Sequence, residues 1–189
     1  MDADHPPFRL ETDRLLLRPF APSDHEAMFA IFSRDDVVRY LYEGPHDEDE
    51  VRDRLAKKIE SREIAKPGDV LRLAVLLKKN GRVIGDVVLQ WIDNPHRQGE
   101  IGFVLHPDHQ GHGYTTEAAG VLLRIAFEDV GLHRVVGHTE ARNAASTRVM
   151  EKLGMRQEAH FVENEFVKDE WQSELVYAIL DRDWRRSTR

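Results

Sequence analysis

Residues 99–120 read GEIGFVLHPDHQGHGYTTEAAG. A strand-like run, GEIGFVL (99–105), gives way to a loop with histidines at 106, 109 and 112 and glycines at 111 and 113, and a helix-forming stretch follows at once. Three chemistries compete for this loop. His106, His109 and His112 have a spacing that zinc accepts. No carboxylate–histidine motif accompanies them, however, and Pro107 and the glycines already dictate the backbone, so solvated loop histidines are the simpler reading. Gly111-x-Gly113 between a strand and a helix matches the start of a dinucleotide turn, with Glu140 ending the next strand where a ribose-binding acid would sit. Thr116 occupies the third glycine position of that turn, and no Lys-Ser/Thr pair follows to make a Walker A loop. The third reading needs less. Glycines let backbone N–H groups turn toward an anion, and the following helix adds its positive end. Such a loop suits a pyrophosphate whatever molecule carries it. A plain strand-to-helix turn capped by Thr115 or Thr116 explains the spacing equally well.

The neighbouring segments give the loop its setting. TEAAGVLLRIAFEDV (116–130) places Ala118, Ala119, Leu122, Leu123, Ala126 and Phe127 along one helical face, with Gly131 as its stop. LHRVVGHTEA (132–141) is strand-like, and NAASTRVMEKL (143–153) is a helix capped by Asn143 and stopped by Gly154. Upstream, VLRLAVLLKKNGRVIGDVVLQWI (70–92) reads as two strands joined by Asn80-Gly81, the pair that a type I′ hairpin turn favours. LETDRLLLRPF (10–20) predicts an opening strand, and residues 21–36 and 51–65 predict helices. The tail from Arg156 to Leu180 predicts two more strands. The order β-α-α-β-β-β-α-β-α-β-β describes one mixed α/β domain, without repeats or linkers.

Composition narrows the function classes. The chain has 189 residues, enough for one domain with a real core. It has no cysteine, which excludes disulfides, thiolate zinc sites and a cysteine nucleophile. No apolar run approaches the roughly 18 residues of a membrane span. MDADHPPFRL (1–10) lacks the basic and apolar regions of a signal peptide, so a cytoplasmic location is expected. A formal charge of −7 argues against a nucleic-acid footprint and weakly favours a cationic partner.

Gln110-Gly111-His112-Gly113-Tyr114-Thr115 resembles the coenzyme A loop, Q/R-x-x-G-x-G/A, of the GNAT acetyltransferase superfamily. EIGFVLHPDHQGHGYTTEAA continuing to RNAASTRVMEKLGM is similar to the branch containing the ribosomal-protein N-terminal acetyltransferases, and TDRLLLRPFAPSDHEAMFAIF resembles that branch's opening strand and helix. The likeness spans nearly the whole chain, weakening at 41–69 and 160–170. It implies the GNAT acyl-CoA N-acyltransferase fold, an α/β (α+β) architecture with a mostly antiparallel mixed sheet and a splayed strand pair at the CoA cleft. It also implies acetyl-CoA as co-substrate, no metal, and a monomer or homodimer. Backbone amides from Gln110 through Thr115 would hold the pyrophosphate. Thr115 departs from the family's Gly or Ala. Phe103, Val104 and Leu105 would bond the pantetheine arm, and Asn143 would reach the same region or act as an ordinary N-cap.

The resemblance further implies direct attack of an amine on the acetyl thioester within a ternary complex. The family's frequent proton-donating tyrosine is Met150 here. Ser146 matches the serine suggested for that role in the N-terminal acetyltransferase branch, while reading equally as a small residue in a helix's first turn. Glu100 is the candidate base, with a solvated strand-end carboxylate as its ordinary reading. Freeing an α-amine of pKa near 8 at pH 7 costs about 1.4 kcal/mol, against about 4.6 kcal/mol for a lysine near 10.4. A protein N-terminus or a weakly basic small-molecule amine is therefore the easier acceptor. Acceptor choice should lie in 34–66 and in the 93–98 loop, with Tyr40, Tyr42 and Trp91 as possible pocket walls. Asp47-Glu48-Asp49-Glu50 would attract a cation or, as the better reading, form a capping box. Met150 keeps a second function open, a non-catalytic acyl-CoA sensor. A nucleotide-dependent oxidoreductase is the remaining rival.

Overall fold

The computed structural model describes residues 9–92 and 95–187. The segment 1–8, read above for a targeting signal, lies outside the described residues, as do the first two positions of the 93–98 loop.

The chain opens with a short hairpin, β1 (Leu10–Glu11) and β2 (Leu15–Arg18), where one strand was expected. Thr12 causes the break: its N–H donates to the Leu15 carbonyl at 3.0 Å while its Oγ1 accepts the Leu15 N–H at 2.9 Å. The helix expected over 21–36 is split into a 3₁₀ turn, α1 (His25–Phe32) and α2 (Asp35–Val38). The hydroxyl of Ser33 donates to the Phe29 carbonyl at 2.7 Å, and this local bond accompanies the end of α1. Next comes α3 (Glu48–Glu60), three residues earlier than predicted. Asp47 Oδ1 accepts the N–H groups of Asp49 and Glu50, and Glu50 returns a carboxylate oxygen to the Asp47 N–H at 2.9 Å. The acidic run is thus a capping box, a device whose N-cap alone contributes about 1 kcal/mol.

The hairpin β3 (Val70–Leu77) and β4 (Val83–Trp91) forms as expected, but its turn is longer than a two-residue type I′ loop. Only Gly81 in it has positive φ, +68°, and the Leu77 N–H closes onto the Arg82 carbonyl. There follow β5 (Gln98–Leu105), α4 (Tyr114–Arg124), a π turn to Asp129, β6 (Arg134–Glu140), α5 (Ala144–Lys152), β7 (Arg156–Val167) and β8 (Glu170–Leu180). A last helix, α6 (Asp181–Ser187), was not anticipated; Trp184 on it packs against Phe127 with ring centroids 5.5 Å apart.

These strands make one eight-stranded sheet in the order β1-β2-β3-β4-β5-β6-β8-β7. The alternation along β3 decides what each face does. Leu71, Leu73, Val75 and Leu77 meet α4, α5 and α6 in the larger core, with Leu122, Leu123 and Phe127 opposite. Ala74 and Leu76 face the other way and meet Met28 and Ile31 of α1 and Leu55 of α3. Helices therefore cover both faces, and a cleft can form only where neighbouring strands part.

They part between β5 and β6, the one parallel pair among the described residues. Pairing runs from Gln98 opposite Arg134 to Glu100 opposite Val136 and then stops. Beyond that point β5 pairs only with β4, up to Leu105, and β6 pairs only with β8, up to Glu140. Among the described residues, the fork leaves one side of residues 101–105 without a strand neighbour.

Candidate active site

A cavity of about 1010 Å³ occupies this fork and passes through the sheet from one face to the other. Its wall on the α4–α5 side contains the loop that follows β5. Gly111 and Gly113 have φ of +78° and +81°, conformations that residues with a Cβ rarely adopt. Gly113 is the N-cap of α4, so the N–H groups of the first turn, from Tyr114 to Thr116, lack intrahelical partners. Among the described residues, nothing accepts a hydrogen bond from the N–H of Gly111, His112 or Gly113. Gln110 differs from its neighbours: its N–H is engaged by the Pro107 carbonyl at 3.0 Å and its side chain by the Leu105 carbonyl at 3.1 Å. The free donors thus begin at Gly111. They form an anion cradle of the kind a pyrophosphate fits.

The loop's other side chains are held away from the cradle. His112 stacks on Tyr114 at 5.7 Å, and its Nδ1 lies 2.8 Å from the Gln110 carbonyl. His106 accepts the Asp108 N–H, while His109 lies against His106 with its ring nitrogen Nε2 buried and unpartnered. Burial holds the His109 pKa below its ordinary 6.5. Among the described residues, no three His, Asp or Glu side chains gather as a metal-holding set. A latch missed in the sequence fixes the loop from outside. Arg14 donates to the His112 carbonyl at 2.9 Å and to Glu117 at 2.7 Å, and its guanidinium lies 4.6 Å from the centre of the Tyr114 ring. Glu117 also accepts from Thr12 and from the Arg14 N–H. Burial raises the Glu117 pKa, but these bonds outweigh it and leave the carboxyl below its ordinary 4.5.

Further candidates converge on the same cavity. Phe103, Val104 and Leu105 form its β5 wall, Thr115 lies in its lining, and Asn143 and Ser146 face it from α5. Asn143 Oδ1 accepts the Ser146 N–H at 3.2 Å, so the asparagine does serve as an N-cap. Met150 is buried and lines the floor. Arg148 and Lys152, one turn apart on α5, also line the cavity without an ion pair among the described residues.

On the opposite face the walls come from α1, α2, α3 and the segment between α2 and α3, including Tyr40 and Tyr42. Trp91 is not in the lining; it packs against the larger core. Tyr42 donates to Glu165 at 3.0 Å, and loss of water with the bond to Glu165 pushes its hydroxyl up to about 12. Glu100 sits at the last paired position before the fork but is not part of the lining. His138, which the sequence reading passed over, is part of it. This histidine lies on β6 just past the point of divergence, and its Nδ1 is 2.9 Å from Glu174 on β8. The other ring nitrogen makes no hydrogen bond among the described residues. Period-two alternation in 132–141 put His138 on one strand face, but only the fork makes that face a site.

Comparison with known proteins adds three relatives to this geometry. Residues 14–156 match the family model described as the acetyltransferase (GNAT) domain. The uncharacterized N-acetyltransferase YnaD of Bacillus subtilis is 33% identical over 175 residues, 93% of this chain and 98% of that protein. A crystal structure of an acetyltransferase (GNAT family) from Bacillus anthracis superposes with a TM-score of 0.83 at 31% identity, covering 93% of this chain and 99% of that one. A spermidine N(1)-acetyltransferase from Vibrio cholerae is 25% identical over 176 residues, 92% of this chain and 98% of that protein.

Proposed function

The chain belongs to the GNAT acetyltransferase family and is an acetyl-CoA-dependent N-acetyltransferase, and from that premise we propose how its own residues divide the work. The observation that carries the proposal is the fork itself: unpaired β5 backbone and the unpartnered N–H groups from Gly111 onward border one cavity. The loop amides and the positive end of α4 hold the pyrophosphate, with Arg148 and Lys152 adding positive charge on the same side. Gln110 supports the loop rather than donating its N–H. Phe103, Val104 and Leu105 bond the pantetheine arm. A backbone N–H near Val104 stabilises the oxyanion of the thioester carbonyl as the amine attacks.

The acceptor, a primary amine of a protein N-terminus or a small molecule, enters from the α1–α3 face. As its nitrogen bonds to the acetyl carbon, the amine gives up a proton and the C–S bond breaks. We assign the proton to His138, whose bond to Glu174 orients the ring and steadies the imidazolium. Glu100 is the second candidate, acting through water from the base of the fork. Ser146 would return a proton to the leaving thiolate, a minor contribution because a thiol of pKa near 8.5 leaves readily about neutrality.

The test follows free thiol while the protein is incubated with acetyl-CoA and a panel of amines that includes peptides and polyamines. Acceptor-dependent thiol release is expected, with His138→Gln lowering kcat about 100-fold or more and leaving CoA affinity unchanged. A larger loss in Glu100→Gln than in His138→Gln would move the base to Glu100. Tight CoA binding with no turnover across a broad panel would make the protein an acyl-CoA sensor.

A further inference from the structure

The acceptor half of the cavity has a charge pattern that the transfer reaction does not require. Three cations face it: Arg54 and Lys58 on α3, and Arg72 on β3. Two of them are matched. Arg54 pairs with Glu43, and Lys58 contacts Asp86 Oδ2. Arg72, half-buried in the cavity lining, makes no ion pair and no side-chain hydrogen bond among the described residues. Burial and the nearby charge of Arg54 hold its pKa below the ordinary 12.5. A guanidinium that lines a cleft without a counter-ion keeps all its N–H donors for an anion that enters. The second irregularity is Asp86, which is 4% exposed. Lys58 takes one of its oxygens, and the other, Oδ1, is buried with no partner among the described residues.

The two groups lie together. On the antiparallel pair β3–β4, Arg72 stands opposite Val88 and Asp86 opposite Ala74, so they are diagonal neighbours on one face. Such positions are about 7–8 Å apart at the backbone, within the reach of a long side chain. Asp86 is also directly opposite Val104 on β5, the strand assigned to the thioester. An unsatisfied buried acceptor near the reacting centre and an unpaired cation one step further from it complement a molecule with the reverse polarity.

We propose that the acceptor is an amine carrying a carboxylate or phosphate a few bonds from its nitrogen, with Arg72 binding the anion and Asp86 Oδ1 accepting an N–H of the amine. This rests on the reading of the cavity's α1–α3 side as the acceptor site. Lys58 neutralises Asp86, so that the pair holds the amine without trapping it as a tightly bound ammonium. A polyamine, by contrast, would bring its second positive charge against Arg72 and Arg54.

The full chain is assayed with acetyl-CoA, following thiol release, on matched acceptors: free amino acids, their methyl esters, phosphoethanolamine and spermidine. Amino acids or phosphoethanolamine should exceed the esters and spermidine in kcat/KM by about 30-fold or more, the loss expected when one partner of a desolvated charge pair is missing. Whichever of the two anions is favoured identifies the group that Arg72 receives. Arg72→Met should erase the preference, chiefly through KM, with CoA affinity unchanged as evidence that the variant is folded. Arg72→Lys, which keeps the charge but loses the planar fork, should retain part of it. Preference for esters or spermidine in the wild-type protein, or an anion preference that survives Arg72→Met, would overturn the inference and leave the acetyltransferase reading standing. CoA binding without turnover of any acceptor would also overturn it. Failure to bind CoA would overturn the reading beneath it as well.

Discussion

Replacing Gly113 by asparagine and by aspartate separates the shape of the phosphate cradle from its charge. Gly113 has φ of +81°, and a Cβ built there meets only Arg14 Nη2, at 3.5 Å, an ordinary contact. No backbone obstructs either residue, so both variants carry chiefly the strain of a left-handed conformation, about 1–2 kcal/mol and less for Asn and Asp than for most side chains. For a chain of this size each kcal/mol lowers Tm by about 2–4 °C. The variants should therefore fold and should resemble each other in Tm, with Arg14 close enough to favour the aspartate slightly. Affinity for CoA is where they must differ. A carboxylate about 6 Å from a phosphate charge, at an effective dielectric constant near 20, is repelled by about 2.8 kcal/mol before salt screening. Screening at about 0.15 M salt acts over roughly 8 Å and removes part of that. Gly113→Asp should thus bind CoA on the order of 10- to 100-fold more weakly than Gly113→Asn by isothermal titration. The gap should narrow at high salt and persist with dephospho-CoA, which keeps the pyrophosphate but lacks the 3′-phosphate. Equal affinities for the two variants would refute the cradle, because steric and strain effects are the same in both.

Two further predictions concern stability. Glu117 has its pKa depressed in the folded state, so its contribution is present above the ordinary carboxyl value of 4.5 and is lost as pH falls through the lower folded value. Wild-type stability in urea should decline on acidification below about pH 4.5 more steeply than that of Glu117→Gln, and matching slopes would exclude the Thr12–Arg14–Glu117 latch as a source of stability. Lys58→Met leaves the Asp86 carboxylate buried without its cation, at a cost of about 3–5 kcal/mol, and adding Asp86→Leu should recover most of it; a single variant as stable as wild type would mean that the pair is not buried in solution.

How much of this was legible in the sequence depends on the range of the interaction that decides each element. Hydrophobic periodicity set out α4, which buries Ala118, Ala119, Leu122 and Leu123 on one side, while α5 was marked by its caps, Asn143 and Gly154. It did not find the Thr12 turn or the Ser33 break, where a single hydroxyl competes with the backbone ladder. Nor did it find α6, whose one deeply buried residue, Trp184, is held by Phe127 57 positions away. At the site, the loop was readable because glycine spacing and a following helix are local facts. Arg14 and His138 were not readable, since one acts on a loop about a hundred residues distant and the other matters only because β5 and β6 part at Glu100 and Val136. Thr115, the departure from the family pattern, lies in the cavity lining and is part of the helix turn that offers its amides.

Charge shows the same limit most sharply. A formal net charge of −7 pointed weakly toward a cationic partner, and the run from Asp47 to Glu50 read as a capping box rather than as an attracting surface. In the folded chain that run is spent at the start of α3, where Asp47 and Glu50 satisfy backbone N–H groups. The cavity itself is lined by Arg54, Lys58, Arg72, Arg148 and Lys152 against Asp36, Glu43 and Asp86. Net charge is a property of the whole surface and sets solubility and long-range attraction. A ligand inside a cleft interacts instead with the few groups that share its low-dielectric surroundings, where charges a few ångströms apart dominate those screened by solvent. An acidic protein can therefore present a cationic pocket without contradiction, and the acceptor preference proposed above follows from Arg72 and its neighbours rather than from the excess of carboxylates outside.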